Sequence, residues 1–183
     1  MADIARYFPK LMLWEGGYVN DPLDSGGATN MGVTLATWKA IGHDEDGDGD
    51  IDADDIRLLK PADAMYALKL RYWDRWRADD INNQSIAEAL VDWVWSSGKF
   101  GITIPQRILG VVADGNVGDK TIQAVNSIDS SLLFGRIRHA RLEFIDSIIR
   151  KTPTNRKFET GWKRRINSII WQPTVISRQF AVS

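Results

Sequence analysis

Residues 15–34 read EGGYVNDPLDSGGATNMGVT and separate two segments that have helical periodicity. Five glycines, two aspartates, two asparagines and two threonines make this stretch too rich in turn-forming residues for a helix. Apolar residues flank it and would anchor both ends, so we expect a loop that is held rigidly in place. Binding and catalytic side chains are concentrated in loops of this kind.

The segment before the loop, residues 3–15, predicts a helix that Gly16 and Gly17 end. Glu15 would lie on its last turn, where the helix dipole and apolar neighbours both disfavour a charged carboxylate. Those surroundings suit a general acid at neutral pH, and a solvated surface glutamate is the alternative. The apolar residues that would form the buried face are Ile4, Tyr7, Phe8, Leu11 and Trp14.

Two aspartates of the loop are candidates for a second catalytic carboxylate. Hydrolysis of a glycosidic bond needs a proton donor at the leaving oxygen and usually a carboxylate that stabilises the cationic sugar, activates water or attacks. Asp24 is the first candidate and Asp21 its substitute, although both also suit Asx-turns, a role we expect for one of them. Thr29 and Thr34 are candidate water-positioning hydroxyls, and Thr34 could instead cap a helix over residues 35–41.

Length and composition indicate an ordinary globular protein. The chain has 183 residues, of which 44% are hydrophobic and 26% charged, enough for one domain or a small domain with an appended subdomain. The absence of cysteine excludes disulfides and thiolate metal sites. The sequence has neither a recognisable Sec signal peptide nor a transmembrane segment. We therefore expect a monomer that is synthesised in the cytoplasm and leaves it by another route.

Charge is distributed unevenly along the chain. Residues 44–55 hold eight acidic residues and no lysine or arginine, whereas residues 131–183 hold eleven lysines and arginines against three acids. This asymmetry predicts an acidic element and a basic surface for an anionic partner, with a solvated basic helix face as the alternative. No nucleic-acid-binding motif occurs, so nucleic acid is not an expected partner.

Residues 44–55 read DEDGDGDIDADD and predict a calcium-binding loop of the EF-hand or dockerin type. Alternating carboxylates supply oxygens to a hard cation, Gly49 permits the sharp turn, and Ile51 ties the loop to the core. We expect a structural ion and no cofactor for catalysis, and a disordered acidic loop is the alternative. The expected ligands are Asp44, Asp46, Asp48, Asp50, Asp52 and Asp55, the last in a position where glutamate is usual.

Aromatic residues are candidates for stacking on sugars, since the chain has eight tryptophans and aromatic rings suit both sugar faces and protein cores. Residues 61–77 predict a helix whose end, YWDRWR, could line a sugar groove, although we expect at least two of its three rings to be core. Asp92 follows the capping box Ser85-Ile-Ala-Glu88 and could reach either the active site or a buried partner. The candidate substrate contacts are Tyr18, Asn20, Thr34, Tyr72, Trp73, Trp76 and Asp92.

The C-terminal half also has helical periodicity. Residues 130–150 and 158–170 predict amphipathic helices whose outer faces carry arginine and lysine. Residues 104–121 contain Asp114-Gly115, which predicts a tight turn before a further helix. The periodicities of the whole chain thus favour helices.

The loop sequence resembles the signature of glycoside hydrolase family 108, the N-acetylmuramidases of phage and prophage lysis modules, some of them described as secretion activators. In that family the glutamate of the E-G-G-Y motif is the catalytic acid, which corresponds here to Glu15. The order Glu15, Asp24, Thr29 also resembles that of the catalytic residues of phage lysozymes. The resemblance continues in DWVWSSG at residues 92–98, in residues 104–121, and in GWKRR at residues 161–165.

This resemblance extends from about residue 8 to about residue 170 and implies a peptidoglycan hydrolase that cleaves between N-acetylmuramic acid and N-acetylglucosamine. We expect an all-α, lysozyme-like fold with an inserted calcium loop. A catalytic region over residues 1–97 and a peptidoglycan-binding region over residues 98–183 would pack into one compact unit. Peptidoglycan is the expected partner, and a holin or similar export partner would bring the enzyme to the cell wall. A lytic transglycosylase and a non-enzymatic wall-binding or secretion-assisting module are the alternatives.

Overall fold

The structure is a computed structural model and describes residues 1–20 and 27–174. These residues are mostly helical, which confirms the helical prediction and is consistent with the lysozyme-like fold that the resemblance implies. They form two compact units. The N-terminal unit holds residues 4–75, and the C-terminal unit holds residues 1–3 with the described residues from 76 onward. The division into catalytic and wall-binding regions at residues 97 and 98 stays a prediction.

The N-terminal unit combines short helices with a small hairpin, and aromatic rings fill its core. Tyr7 and Trp73 stack there with ring centroids 6.3 Å apart, and Trp38 and Ile56 are also buried. In chain order its elements are α1 (Ile4–Met12), β1 (Thr29–Asn30), β2 (Val33–Thr34), α2 (Leu35–Ile41), α3 (Ala53–Leu58), α4 (Pro61–Leu68) and a π-helical turn (Lys69–Trp73).

The C-terminal unit is built around α5, which is buried along most of its length. Within residues 1–20 and 27–174, no helix combines the length and the apolarity needed to cross a bilayer. The elements that follow the π-helical turn are two 3₁₀ turns (Asp74–Trp76 and Ala78–Asp80), α5 (Gln84–Ser97), α6 (Phe100–Leu109), α7 (Asp119–Ser127), α8 (Ser130–Lys151), a 3₁₀ turn (Pro153–Phe158) and α9 (Glu159–Ser168).

Helix α5 begins one residue earlier than its predicted N-cap, Ser85. Asn83 is the true N-cap, because its side-chain oxygen accepts the Ile86 N–H at 3.1 Å. The same side chain donates from its nitrogen to the Gln172 carbonyl at 2.9 Å and to the Thr174 hydroxyl at 3.1 Å. The stretch after α9 is therefore fastened to the start of α5.

The tight turn predicted at Asp114-Gly115 is present and is held by a buried glutamine of α6. Gln106 accepts the Gly115 N–H at 2.9 Å and donates to Asp114 at 3.1 Å. Gly115 has a φ of 85°, a left-handed conformation that favours glycine. The turn is thus part of the helical framework that connects α6 to α7.

Candidate functional site

Glu15 lies between α1 and the hairpin of the N-terminal unit and is half-buried. Helix α1 ends at Met12, and the Trp14 N–H closes a last turn onto the Leu11 carbonyl at 2.9 Å. The prediction that the helix extends to Glu15 is therefore wrong. Leu13 is 84% exposed, so a further helical turn would have little to bury.

A two-stranded hairpin forms the far side of the glycine-rich loop and departs from the predicted all-α fold. Strands β1 and β2 are antiparallel, and Thr29 lies directly opposite Thr34. Met31 and Gly32 connect them with φ values of 48° and 76°, as a two-residue hairpin turn of the I′ type requires. The two threonines predicted to position water are thereby cross-strand neighbours.

Backbone hydrogen bonds tie the segment after Glu15 to this hairpin. Val19 and Thr29 exchange two N–H to carbonyl bonds of 2.8 Å each. The Gly16 carbonyl accepts the Met31 N–H at 3.2 Å. Glu15 consequently sits on a backbone that is fixed against the hairpin on its C-terminal side.

Three hydroxyl groups form a chain that ends near Glu15. The Thr34 hydroxyl caps α2 by accepting the Thr37 N–H at 3.2 Å, which confirms the predicted cap, and donates to the Thr37 hydroxyl at 3.1 Å. Thr37 is in turn hydrogen-bonded to the Tyr72 hydroxyl. Burial raises the pKa of Tyr72, and the negative charge of Glu15 adds to the rise. The structure thus brings together three predicted site residues, Glu15, Thr34 and Tyr72.

The other two rings of the YWDRWR segment are core residues. Trp73 and Trp76 are fully buried. Trp73 stacks on Tyr7, and the Trp76 indole N–H donates to the Gly101 carbonyl at 3.2 Å. The prediction that these two tryptophans contact substrate is wrong, whereas the expectation that at least two of the three rings are core is confirmed. Tyr72 is the half-buried ring of the three.

Asp92 is buried in the C-terminal unit and forms ion pairs with two arginines. Its carboxylate accepts hydrogen bonds from Arg141 at 2.6 Å and from Arg165 at 2.9 and 3.0 Å. Burial opposes ionisation, but the two guanidinium groups prevail and hold the pKa of Asp92 below its usual value. The prediction that Asp92 contacts substrate is therefore wrong, and the alternative of a buried partner is confirmed.

Tyr18 and Asn20 differ in their surroundings. The Arg57 guanidinium lies 4.9 Å from the centroid of the half-buried Tyr18 ring, a cation–π arrangement. The Tyr18 hydroxyl is buried and has no hydrogen-bond partner among the described residues. Asn20 is exposed. Asp21 and Asp24 lie outside the described residues, so their roles stay predictions.

The acidic loop, residues 44–55, connects α2 to α3. Its aspartate side chains accept hydrogen bonds from backbone N–H groups of the loop itself. Asp44 accepts the Gly49 N–H at 2.8 Å, and Gly49 makes the predicted sharp turn with a φ of 103°. Asp55 accepts the N–H groups of Glu45 and Asp52 at 2.6 Å each. These N–H bonds lower the pKa of the Asp55 carboxyl and join the start of the loop to its end.

The carboxylates of the acidic loop gather in two groups of three, and inside each group one oxygen from every residue lies within 4.8 Å of the others. The charge of Asp48 raises the pKa of Asp50, so like charges repel within the loop. A cation bound by the loop carboxylates would relieve this repulsion. Oxygen donors at such spacing fit a hard ion such as calcium. The first group is Asp44, Asp46 and Asp48, and the second is Asp50, Asp52 and Asp55.

The sequence interpretation missed Thr37 and Arg57. Thr37 had a signal, because it follows the predicted cap Thr34 at the spacing at which a helix cap contacts its third residue. Arg57 had none, since only the fold places α3 beside the Tyr18 ring. The hairpin also had a signal, a glycine-containing two-residue turn between β-branched residues.

Comparison with known proteins covers both parts of the chain. Residues 8–98 match the family model of glycosyl hydrolase 108, and residues 100–167 match that of a predicted peptidoglycan domain. The chain is similar to the solved structure of Brucella abortus SagA, with 29% identity and a TM-score of 0.72 over 91% of this chain and 90% of that chain. No curated protein matches it. The chain is thus a glycoside hydrolase that acts on peptidoglycan, and its residues 8–98 form a glycosyl hydrolase 108 domain.

Proposed function

We propose that this protein is an N-acetylmuramidase that hydrolyses the bond between N-acetylmuramic acid and N-acetylglucosamine. The glycosyl hydrolase 108 match supports the chemistry, and the predicted peptidoglycan domain supports the polymer. The observation that carries the proposal is the half-buried Glu15, which lies near the Tyr72 hydroxyl inside the matched segment.

In the proposed mechanism Glu15 protonates the leaving glycosidic oxygen. A general acid must lie within hydrogen-bond reach of the leaving oxygen, and the half-buried side chain of Glu15 is partly open to a substrate. The Tyr72 hydroxyl is hydrogen-bonded to Thr37 and lies near enough to Glu15 for the charge of that carboxylate to act on it. We assign Tyr72 a positioning role, in which its hydroxyl would hold the acid or the substrate in place.

A second carboxylate would stabilise the cationic sugar or activate water, and Asp24, with Asp21 as substitute, is the residue proposed for it. Thr29 would position the water, a role supported by its place opposite Thr34 in the hairpin. Tyr18 would contact substrate through the exposed part of its half-buried ring. Exposed Asn20 is proposed as a further contact.

We also propose that the acidic loop binds calcium as a structural clip. The residues that would hold the ion are the six aspartates of the two carboxylate groups. Calcium supplies charge compensation there, and the loop would then fix the end of α2 relative to the start of α3. This role takes no part in the reaction.

The family resemblance supports one further proposal, that a holin or similar export partner brings the enzyme, as a monomer, to the cell wall. Lysis of cells that express the protein with and without a co-expressed holin would test the export route. Equal lysis of cells with and without the holin would show that export does not need such a partner. Sedimentation of the purified protein would test the monomer.

Glu15→Gln tests the enzymatic proposal, because it keeps the side-chain shape and removes the acid. We expect turnover of purified peptidoglycan to fall by roughly a hundredfold or more, the contribution that general acid catalysis commonly makes. Glu143→Gln, an exposed glutamate of α8, is the matched control and should leave turnover unchanged. Thermal melts of both variants would verify folding. Near-wild-type turnover by Glu15→Gln would refute the role of this residue.

Product analysis distinguishes a hydrolase from a lytic transglycosylase and from a non-enzymatic binding module. A hydrolase releases fragments with a reducing N-acetylmuramic acid end, whereas a lytic transglycosylase releases an anhydro-sugar. Mass spectrometry of the digest distinguishes the two, and binding to peptidoglycan without any product would support a non-enzymatic module. Tyr72→Phe should give a smaller loss than Glu15→Gln, since it removes a positioning hydroxyl and leaves the acid.

A further inference from the structure

A pocket of about 130 Å³ opens between α5, α8 and α9 in the C-terminal unit. Its walls are largely aromatic and aliphatic, and two hydroxyls from the end of α5, Ser96 and Ser97, supply polar groups. It includes none of the residues assigned above to the reaction. The apolar wall residues that matter here are Phe144, Ile148, Trp162 and Ile166.

Aromatic rings beside this pocket remain partly in water. Phe144 packs against Phe100 with centroids 5.2 Å apart, and Phe100 is 57% exposed. Trp162 is half-buried and stacks on Phe158 at 5.5 Å, and Phe158 is 46% exposed. Aromatic faces left open around a concave site are typical of surfaces that bind sugars or apolar groups.

The walls of the pocket are held in place without a ligand. Arg141 and Arg165 both line it, and Asp92 binds both of their guanidinium groups. Trp162 is supported on one face by the Phe158 ring. A preformed site of this kind loses little side-chain entropy when a ligand binds.

The size and the chemistry of the pocket restrict which ligands it can bind. A cavity of roughly 150 Å³ holds a benzene-sized molecule, so this pocket fits one substituent and is too small for a disaccharide. An acetamido group has a methyl that suits Ile148 and Ile166, and it has a carbonyl and an N–H that suit hydroxyl groups. Both sugars of peptidoglycan carry an N-acetyl group.

We propose that this pocket binds the acetamido group of one N-acetylated amino sugar of peptidoglycan, with the Trp162 ring against the sugar face. The identity of the polymer rests on the proposed function. The pocket thereby gives the C-terminal unit a binding site of its own, which holds a glycan strand without acting on it.

A blocking variant and a matched control test the site. Ser96 is exposed and its hydroxyl donates to the Trp93 carbonyl at 3.3 Å, so Ser96→Phe places a ring at the pocket. Ser127, at the end of α7, is also exposed, donates in the same way to the Ala124 carbonyl at 3.1 Å and does not line the pocket. Ser127→Phe therefore controls for the added ring.

The readout is the set of tryptophan indole N–H signals in nuclear magnetic resonance titrations of the full chain. N-acetylglucosamine should shift the Trp162 signal saturably, and glucosamine and glucose, which lack the acetyl group, should not. Ser96→Phe should weaken binding at least tenfold, and Ser127→Phe should leave it unchanged. The absence of a saturable shift, or equal shifts with glucosamine, would overturn the proposal. The sugar comparison needs no variant, so it decides the matter even if Ser96→Phe fails to fold.

Failure of this inference and failure of the muramidase proposal give different results. Glu15→Gln should keep the Trp162 shift while it loses turnover. Hydrolysis of peptidoglycan without a Trp162 shift would refute only the pocket. A Trp162 shift with no turnover by the wild-type protein would refute only the muramidase.

Discussion

Asp92 and the acidic loop obtain counter-charge in different ways. Asp92 is buried, and two arginines from α8 and α9 neutralise it within the fold. The carboxylates of the acidic loop accept backbone N–H groups, and residues 44–55 contain no lysine or arginine. A carboxylate in the core must be paired by the chain itself, whereas an exposed carboxylate, such as that of Asp46, Asp48 or Asp50, can draw a cation from solution. The first arrangement fixes helices through contacts within the chain, and the second makes local stability depend on the ions in the solvent.

Asp92→Asn should have the largest effect on stability. It leaves Arg141 and Arg165 in the C-terminal unit without their shared counter-charge, and breaking a buried ion pair costs about 3–5 kcal/mol. Chemical denaturation should show this loss in the free energy of unfolding. Asp74→Asn is the control, because the Lys69–Asp74 pair is exposed and such pairs contribute about 1 kcal/mol or less. An equal loss in the two variants would contradict the distinction.

Calcium should have the next largest effect. At a free calcium concentration of about 100 times the dissociation constant, binding raises the free energy of unfolding by about 2.7 kcal/mol. Asp48→Asn should reduce the rise in melting temperature, and Asp54→Asn should not, since Asp54 belongs to neither carboxylate group. Identical melts with calcium and with chelator, after metal removal is verified, would show that the loop has no such role.

Lowering the pH should destabilise the ion pairs of Asp92 and stabilise the metal-free acidic loop. Both effects should be smaller than those of Asp92→Asn and of calcium. The folded pKa of Asp92 lies below 3.8, so its contribution is complete above that pH and is lost as the pH falls towards the folded pKa. The folded pKa of Asp50 is raised, so its ionisation destabilises the metal-free loop at higher pH. The melting difference between wild type and Asp92→Asn should shrink below about pH 4. Asp50→Asn should raise the melting temperature of metal-free protein at neutral pH, and this gain should vanish in acid.

Local features of the fold could be predicted from the sequence. The Thr34 cap and the sharp turn at Gly49 each depend on residues a few positions apart, so a sequence motif contains the whole interaction. The sequence prediction placed the end of α1 too far along the chain. Apolar residues continue at helical spacing to Trp14, but Leu13 is exposed and so adds no buried surface to a longer helix. Helical periodicity records which residues could share a face and does not record where the neighbouring element stops.

Interactions between distant residues could not be predicted in the same way. Trp76 bonds to Gly101, and Asp92 bonds to Arg165, which is 73 residues away. No residue close to Asp92 in the sequence indicates that Arg141 and Arg165 pair with it. A buried ion pair and a substrate contact therefore have the same local sequence pattern. Glu15 was identified through a family motif, whereas the hydrogen bond between Thr37 and Tyr72 forms only through packing of the N-terminal unit.

The side chain of Asn83 couples the opening of two segments that are far apart in the chain. Its oxygen caps α5 while its nitrogen donates to Gln172 and Thr174, which follow α9. We expect that release of Gln172 and Thr174 would free the amide to rotate and so weaken the cap on the first turn of α5. Amide hydrogen exchange at Ile86 should therefore follow detachment of the C-terminal stretch. A fusion partner that pulls on this end would act on α5, a helix that is buried along most of its length.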